Sequence, residues 1–124
     1  MTSLDLPPHV ASVGRARSFV SELASGRVHD VDAVALMTSE LVGNVVRHTA
    51  SDFTVRVDEG PPFRVEVRDG QAATDAFRAL IAKRPPPVPV TSIGGRGIGL
   101  VHALAERVGL DEDEGGGKVV WFEV

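Results

Sequence analysis

Cysteine is absent from the 124 residues, which excludes a disulfide scaffold, a thiolate metal site and a cysteine nucleophile, and fits a reducing compartment. Positive charge is also scarce: 13 Lys and Arg stand against 17 Asp and Glu, a formal charge of -4. No general basic surface is available to neutralise a phosphate backbone, so a protein partner is expected rather than direct nucleic-acid binding. The chain has no uninterrupted apolar run near the roughly 20 residues that a membrane-spanning helix needs. Met1 to Pro8 lacks the basic stretch and apolar run of a signal peptide. A cytoplasmic protein with no membrane association is therefore expected. Internal repeats are missing too. What remains is 43% hydrophobic and 24% charged, a globular composition that a length of 124 residues fits as one domain over 1–124.

Along the chain, Val10, Val13, Ala16, Phe19, Val20 and Leu23 recur near the 3.6-residue period, so Val10 to Ala24 is read as an amphipathic helix ended by Ser25-Gly26. A second helix begins near Asp30 or Asp32, where a carboxylate caps free N–H groups, and runs to about Thr49. Phe53 to Asp58 and Phe63 to Arg68 alternate apolar and polar residues around the turn Glu59-Gly60-Pro61-Pro62, which predicts an antiparallel hairpin. A short helix is placed at Thr74 to Lys83. The run Arg84-Pro85-Pro86-Pro87-Val88-Pro89 lacks the N–H donors of a helix or central strand, so it is read as a surface connection in a lid-like segment. Leu100 to Val108 reads as a third major helix stopped by Gly109, and Lys118 to Val124 as a final strand. The acidic, glycine-rich turn Asp111 to Gly117 predicts a hairpin return into that strand.

Three constellations carry chemistry. On the second helix, Glu40, Asn44 and His48 recur at spacing four and fall on one shoulder of the stripe formed by Val34, Met37, Leu41 and Val45. They are either routine half-exposed polar residues or the wall of a cleft. The segment Gly94-Gly95-Arg96-Gly97-Ile98-Gly99-Leu100 precedes an apolar helix. It is either a lid hinge or an anion cradle, since glycines admit close approach and a helix N-terminus offers unpaired N–H groups. Its alternating glycines follow a Pro-rich stretch and not a strand, against a dinucleotide fingerprint. Gly117-Lys118-Val119 lacks the hydroxyl of a P-loop and leads into a strand. Finally, Val65 to Arg68 ends in Asp69-Gly70. This is either an ordinary turn or a carboxylate placed to accept a hydrogen bond from an exocyclic amino group.

The order of these features, with the closing Val119-Val120-Trp121-Phe122 strand, resembles the histidine kinase-like ATP-binding fold shared by gyrase, Hsp90, histidine kinases and MutL. Ser39-Glu40-Leu41-Val42-x-Asn44-Val45-Val46-Arg47-His48 and Gly95-Arg96-Gly97 are similar to its anti-sigma factor serine kinase branch, short actinobacterial type. The resemblance implies an α/β fold, an α+β two-layer sandwich with helices on one face of a mixed, mostly antiparallel sheet and ATP between helices and lid. It implies Glu40 as general base and Asn44 as Mg²⁺ ligand. Asp69, followed by Gly70, would read adenine, and His48 would stand near the phosphates or on the cleft wall. The backbone of Gly95, Gly97, Ile98 and Gly99, with the helix from Leu100, would hold the phosphates, with added charge from Arg96. It also implies a sigma factor or an anti-anti-sigma antagonist as partner, and homodimers occur in the branch. A non-catalytic regulator with the same fold is the alternative. A split histidine kinase would need a phosphoacceptor domain from another protein. Two departures, Gln71-Ala72-Ala73 in place of a second early glycine and Val119 in place of a threonine, imply weaker adenine binding.

Overall fold

The computed structural model describes residues 1–83 and 95–124. The proline run, its reading as a lid connection, and Gly94 lie outside the described residues, as does the Arg96 side chain. The elements in order are β1 (Thr2–Leu6), α1 (Ala11–Ala24), α2 (Val31–His48), β2 (Phe53–Asp58), β3 (Arg64–Asp69), α3 (Asp75–Ile81), α4 (Gly95–Leu104), β4 (Arg107–Glu112) and β5 (Lys118–Glu123).

α1 buries Ser12, Ala16, Val20 and Ala24, one residue per turn, and lies against α2. The small alanines let the two helices approach closely. α2 starts where the Asp30 side chain accepts a hydrogen bond from the Ala33 N–H at 3.0 Å. Asp32 in its first turn and Arg47 and His48 in its last complement the helix dipole. Both helices cover one face of a five-stranded sheet of order β1-β2-β3-β5-β4. Onto that face the strands turn Leu6, Phe53, Val55, Val57, Val65, Val67, Val120 and Phe122, all buried with Val34, Met37, Leu41 and Val42 of α2 in one core. Among the described residues no helix is long and apolar enough to cross a membrane.

Three expectations are corrected. Among the described residues every strand pair is antiparallel, so the sheet they form is not mixed. Part of the reason is that β4 and β5 are neighbours joined by a tight turn, closed by Asp113 N–H to Gly117 O at 2.8 Å. The third major helix is displaced: it spans Gly95–Leu104, and Arg107 and Val108 belong to β4. The apolar spacing of Leu104 and Val108 suits a helix, but pairing along β5 overrides it. Gly109 is no helix stop. It sits opposite Trp121 in the ladder, and a Cβ there would lie 2.8 Å from the indole Nε1 and nearer still to the ring. The third correction is that the glycine motif does not form a loop ahead of a helix at Leu100, because Gly95, Gly97 and Gly99 are already helical. β1 went unread in the sequence. Its pattern is only five residues long and is stabilised by pairing with β2.

The opposite face of the sheet is held by charge. Arg64 donates to Glu66 at 2.8 Å and to Glu123 at 3.3 Å, Arg107 donates to Glu123 at 2.8 Å, and the Arg64 guanidinium lies 3.9 Å from the centre of the Trp121 ring. Burial on its own would raise the Glu123 carboxyl. Hydrogen bonds from Arg107 and Arg64, reinforced by their charges, outweigh it and hold the group below the usual carboxylate range. The unfolded chain therefore binds more protons at Glu123, and this stabilisation, complete above the unfolded pKa, is lost as pH falls through the folded one. Urea midpoints for the wild type and Glu123→Gln are expected to differ at neutral pH and to converge on acidification below the ordinary carboxylate range.

Candidate functional site

Strand alternation builds the floor of the site. Val65, Val67 and Asp69 share the inward face of β3, and Lys118, Val120 and Phe122 share that of β5, because successive side chains point to opposite faces. The register sets Val65 opposite Phe122, Val67 opposite Val120, and Asp69 opposite Lys118. The first two pairs close the core. The third opens into a cavity of about 240 Å³ walled by Leu41, Asn44, Val45 and His48 of α2 and by Ala73 and Phe77 on the far side.

Asp69 is only 4% exposed, and a carboxylate out of water needs partners. Its Oδ1 accepts from Lys118 Nζ at 2.9 Å and from the Gln71 N–H at 2.8 Å. Lys118 Nζ also donates to the Gln71 carbonyl at 3.0 Å. Val119 does not line the cavity; it alternates to the other face of β5, so the β5 side chain that meets Asp69 is Lys118.

Asn44 is 8% exposed and is not a half-exposed shoulder residue. Its Oδ1 accepts from Arg47 at 2.5 Å, while its Nδ2 is buried with no partner among the described residues. An unpaired buried donor costs about 1–3 kcal/mol, and in a cavity wall it marks a place where a ligand acceptor would restore the lost hydrogen bond.

Glu40 lies one turn before Asn44 and is half-buried, outside the cavity lining. There α4 crosses α2 closely. A Cβ on Gly97 would collide with the Glu40 carboxylate, with Cδ at 3.3 Å and Cβ at 3.4 Å. The buried Ile98 and Val101 anchor this contact in the core, and His102 Nε2 lies 3.0 Å from the Leu80 carbonyl, tying α4 to α3. Asn44, His48 and Asp69 are thus gathered at one cavity, and Glu40 is gathered with Gly97 beside it. His48 is exposed at the rim. Gly70 follows Asp69 with Ser51 nearby, Gly99 is exposed, Leu100 is half-buried, and Ile98 faces the core. Sequence reasoning missed Lys118, Gln71, Phe77 and Arg47 as site residues. Strand parity would have found Lys118, because it shares the parity of Val120 and Phe122.

A family model described as "Histidine kinase-like ATPase domain" matches residues 6–124. The fold is similar to a crystal structure of the RsbU and RsbW domains of a Mycobacterium tuberculosis protein, with a TM-score of 0.62 and 16% sequence identity over 99% of this chain. The chain spans 32% of that chain. No curated protein matches in sequence.

Proposed function

The chain belongs to the histidine kinase-like ATPase domain family, and on that premise we propose that residues 1–124 form one ATP-binding regulatory domain of anti-sigma factor type. It phosphorylates a Ser or Thr of an anti-anti-sigma partner, and its alternative engagement is with a sigma factor. The observation that carries the reading is the orphaned Nδ2 of Asn44 in a cavity whose floor is Asp69, beside a helix whose Gly97 abuts Glu40.

In this reading the base enters toward Asp69, and the polyphosphate runs past Asn44 toward the first turn of α4, where the helix dipole favours an anion. The residues present fit Mg²⁺. Among the described residues no group of three His, Asp or Glu could cage an ion, but Mg²⁺ is ordinarily held by one or two protein oxygens with phosphates and water. Asn44 Oδ1 has a second lone pair beside the one that Arg47 occupies. When bound, the ion neutralises phosphate oxygens. The chain's own step is proton transfer: Glu40 takes the proton of the attacking hydroxyl as its oxygen bonds to the γ-phosphorus and ADP leaves.

A second reading, a regulator that binds without transferring phosphate, is favoured by one feature, the engagement of Asp69 by Lys118. Calorimetry with ATP and Mg²⁺ tests the site. The wild type is expected to bind, and Asn44→Ala to lose at least about tenfold in affinity, the scale of one charge-assisted hydrogen bond. Equal affinities would remove Asn44 from the site. Phosphate transfer by the wild type separates the two readings.

A further inference from the structure

Lys118 stands where a base would be read, and nothing in the proposed phosphoryl transfer uses it. We propose that Lys118 reads the base jointly with Asp69, so that the site accepts 6-oxopurine nucleotides as well as 6-aminopurine nucleotides. The inference rests on the nucleotide-site reading above and specifies its substrate class.

The ammonium has three N–H donors. Among the described residues two are spent, on Asp69 Oδ1 at 2.9 Å and on the Gln71 carbonyl at 3.0 Å. The third remains for a group in the cavity that Lys118 lines. Asp69 shows the complementary pattern. Its Oδ1 serves Lys118 and the Gln71 N–H, which leaves Oδ2 to accept from a ligand. The cross-strand register holds the two side by side, and the lysine side chain is only 14% exposed, so the donor is a fixed part of the floor.

A floor made of a carboxylate alone selects adenine. The adenine N6 amino group donates to it, whereas the O6 of guanine or hypoxanthine would face a second negative oxygen. A site built to hydrogen-bond one pattern rejects the other by roughly 10⁴-fold. With an ammonium beside the carboxylate both edges are matched. Adenine sets N6–H against Asp69 and N1 against Lys118; a 6-oxopurine sets N1–H against Asp69 and O6 against Lys118. Lysine is a common partner of O6 for this reason.

The test is competition calorimetry with ATP, GTP and ITP on the wild type, on Lys118→Met and on Lys118→Arg. ITP keeps O6 and lacks the 2-amino group, so it isolates the edge at issue. ITP is expected to bind the wild type within about tenfold of ATP, a gap of about 1.4 kcal/mol or less. Lys118→Met, similar in length and uncharged, is expected to widen the ATP preference over ITP at least about tenfold, and Lys118→Arg to keep it narrow. A wild-type preference for ATP beyond tenfold overturns the proposal while leaving the nucleotide site standing, as does equal weakening of all three nucleotides by Lys118→Met. Binding of none of them by the wild type overturns the nucleotide site and this inference together. Should Lys118→Met fail to fold, the wild-type comparison of ITP with ATP decides alone.

Discussion

Glu40→Ala is expected to bind ATP with the wild-type affinity and to phosphorylate the antagonist about 10²–10⁴-fold more slowly, the range that a positioned general base contributes. The separation follows from where the carboxylate stands. Glu40 does not line the cavity that Asn44 and Asp69 share, so removing it takes nothing from the walls of that cavity. It stands one helical turn away, against the start of α4, where the proposed path of the polyphosphate ends. The measurement is single-turnover transfer of labelled phosphate from saturating ATP, with affinity followed separately by calorimetry. Transfer at the wild-type rate would strip Glu40 of the base role, and a matching loss of affinity would make it a binding residue.

Gly97→Ala gives the second large effect, and its sign differs between stability and catalysis. Alanine is a better helix former than glycine by about 1 kcal/mol, and Gly97 lies inside α4. The new methyl group nevertheless collides with the Glu40 carboxylate and crowds its Cδ at 3.3 Å. The far end of a glutamate is flexible, so the carboxylate swings aside at little cost and the fold survives. What is lost is position. A displacement of about 1 Å at a reacting group costs on the order of 10²-fold in rate. Thermal unfolding is expected at or above the wild-type temperature, with phosphate transfer strongly reduced and ATP binding little changed. A variant that transfers phosphate normally would show that the contact between Gly97 and Glu40 serves packing only.

These two variants bear on how much of the site the sequence disclosed. The spacing of Glu40, Asn44 and His48 was legible because a helix carries residues four apart on one face, and α2 is long, capped and amphipathic. The strand ending in Asp69 was legible from strict alternation. Less visible was the difference between Asn44 and His48: equal spacing treats them alike, yet one is buried with an orphaned amide and the other is exposed at the rim. The cavity on which both residues border is closed by the segment after β3, which is distant in sequence. The misreading of Arg107 and Val108 has a similar origin. Over short stretches a helical pattern and a strand pattern share positions, and only β5 and the indole of Trp121, lying over Gly109, decide between them.

From the order of residues alone came the two long helices, the central hairpin, the final strand and the family they resemble, because each rests on local periodicity, capping or turn chemistry. Tertiary structure decided the antiparallel order of the sheet, the entry of the glycines into α4, and the meeting of Lys118 with Asp69. Pairings between residues dozens of positions apart leave no periodic trace in either segment. They arise when the register sets a part-buried ammonium beside a buried carboxylate, which would carry the cost of leaving water without a partner.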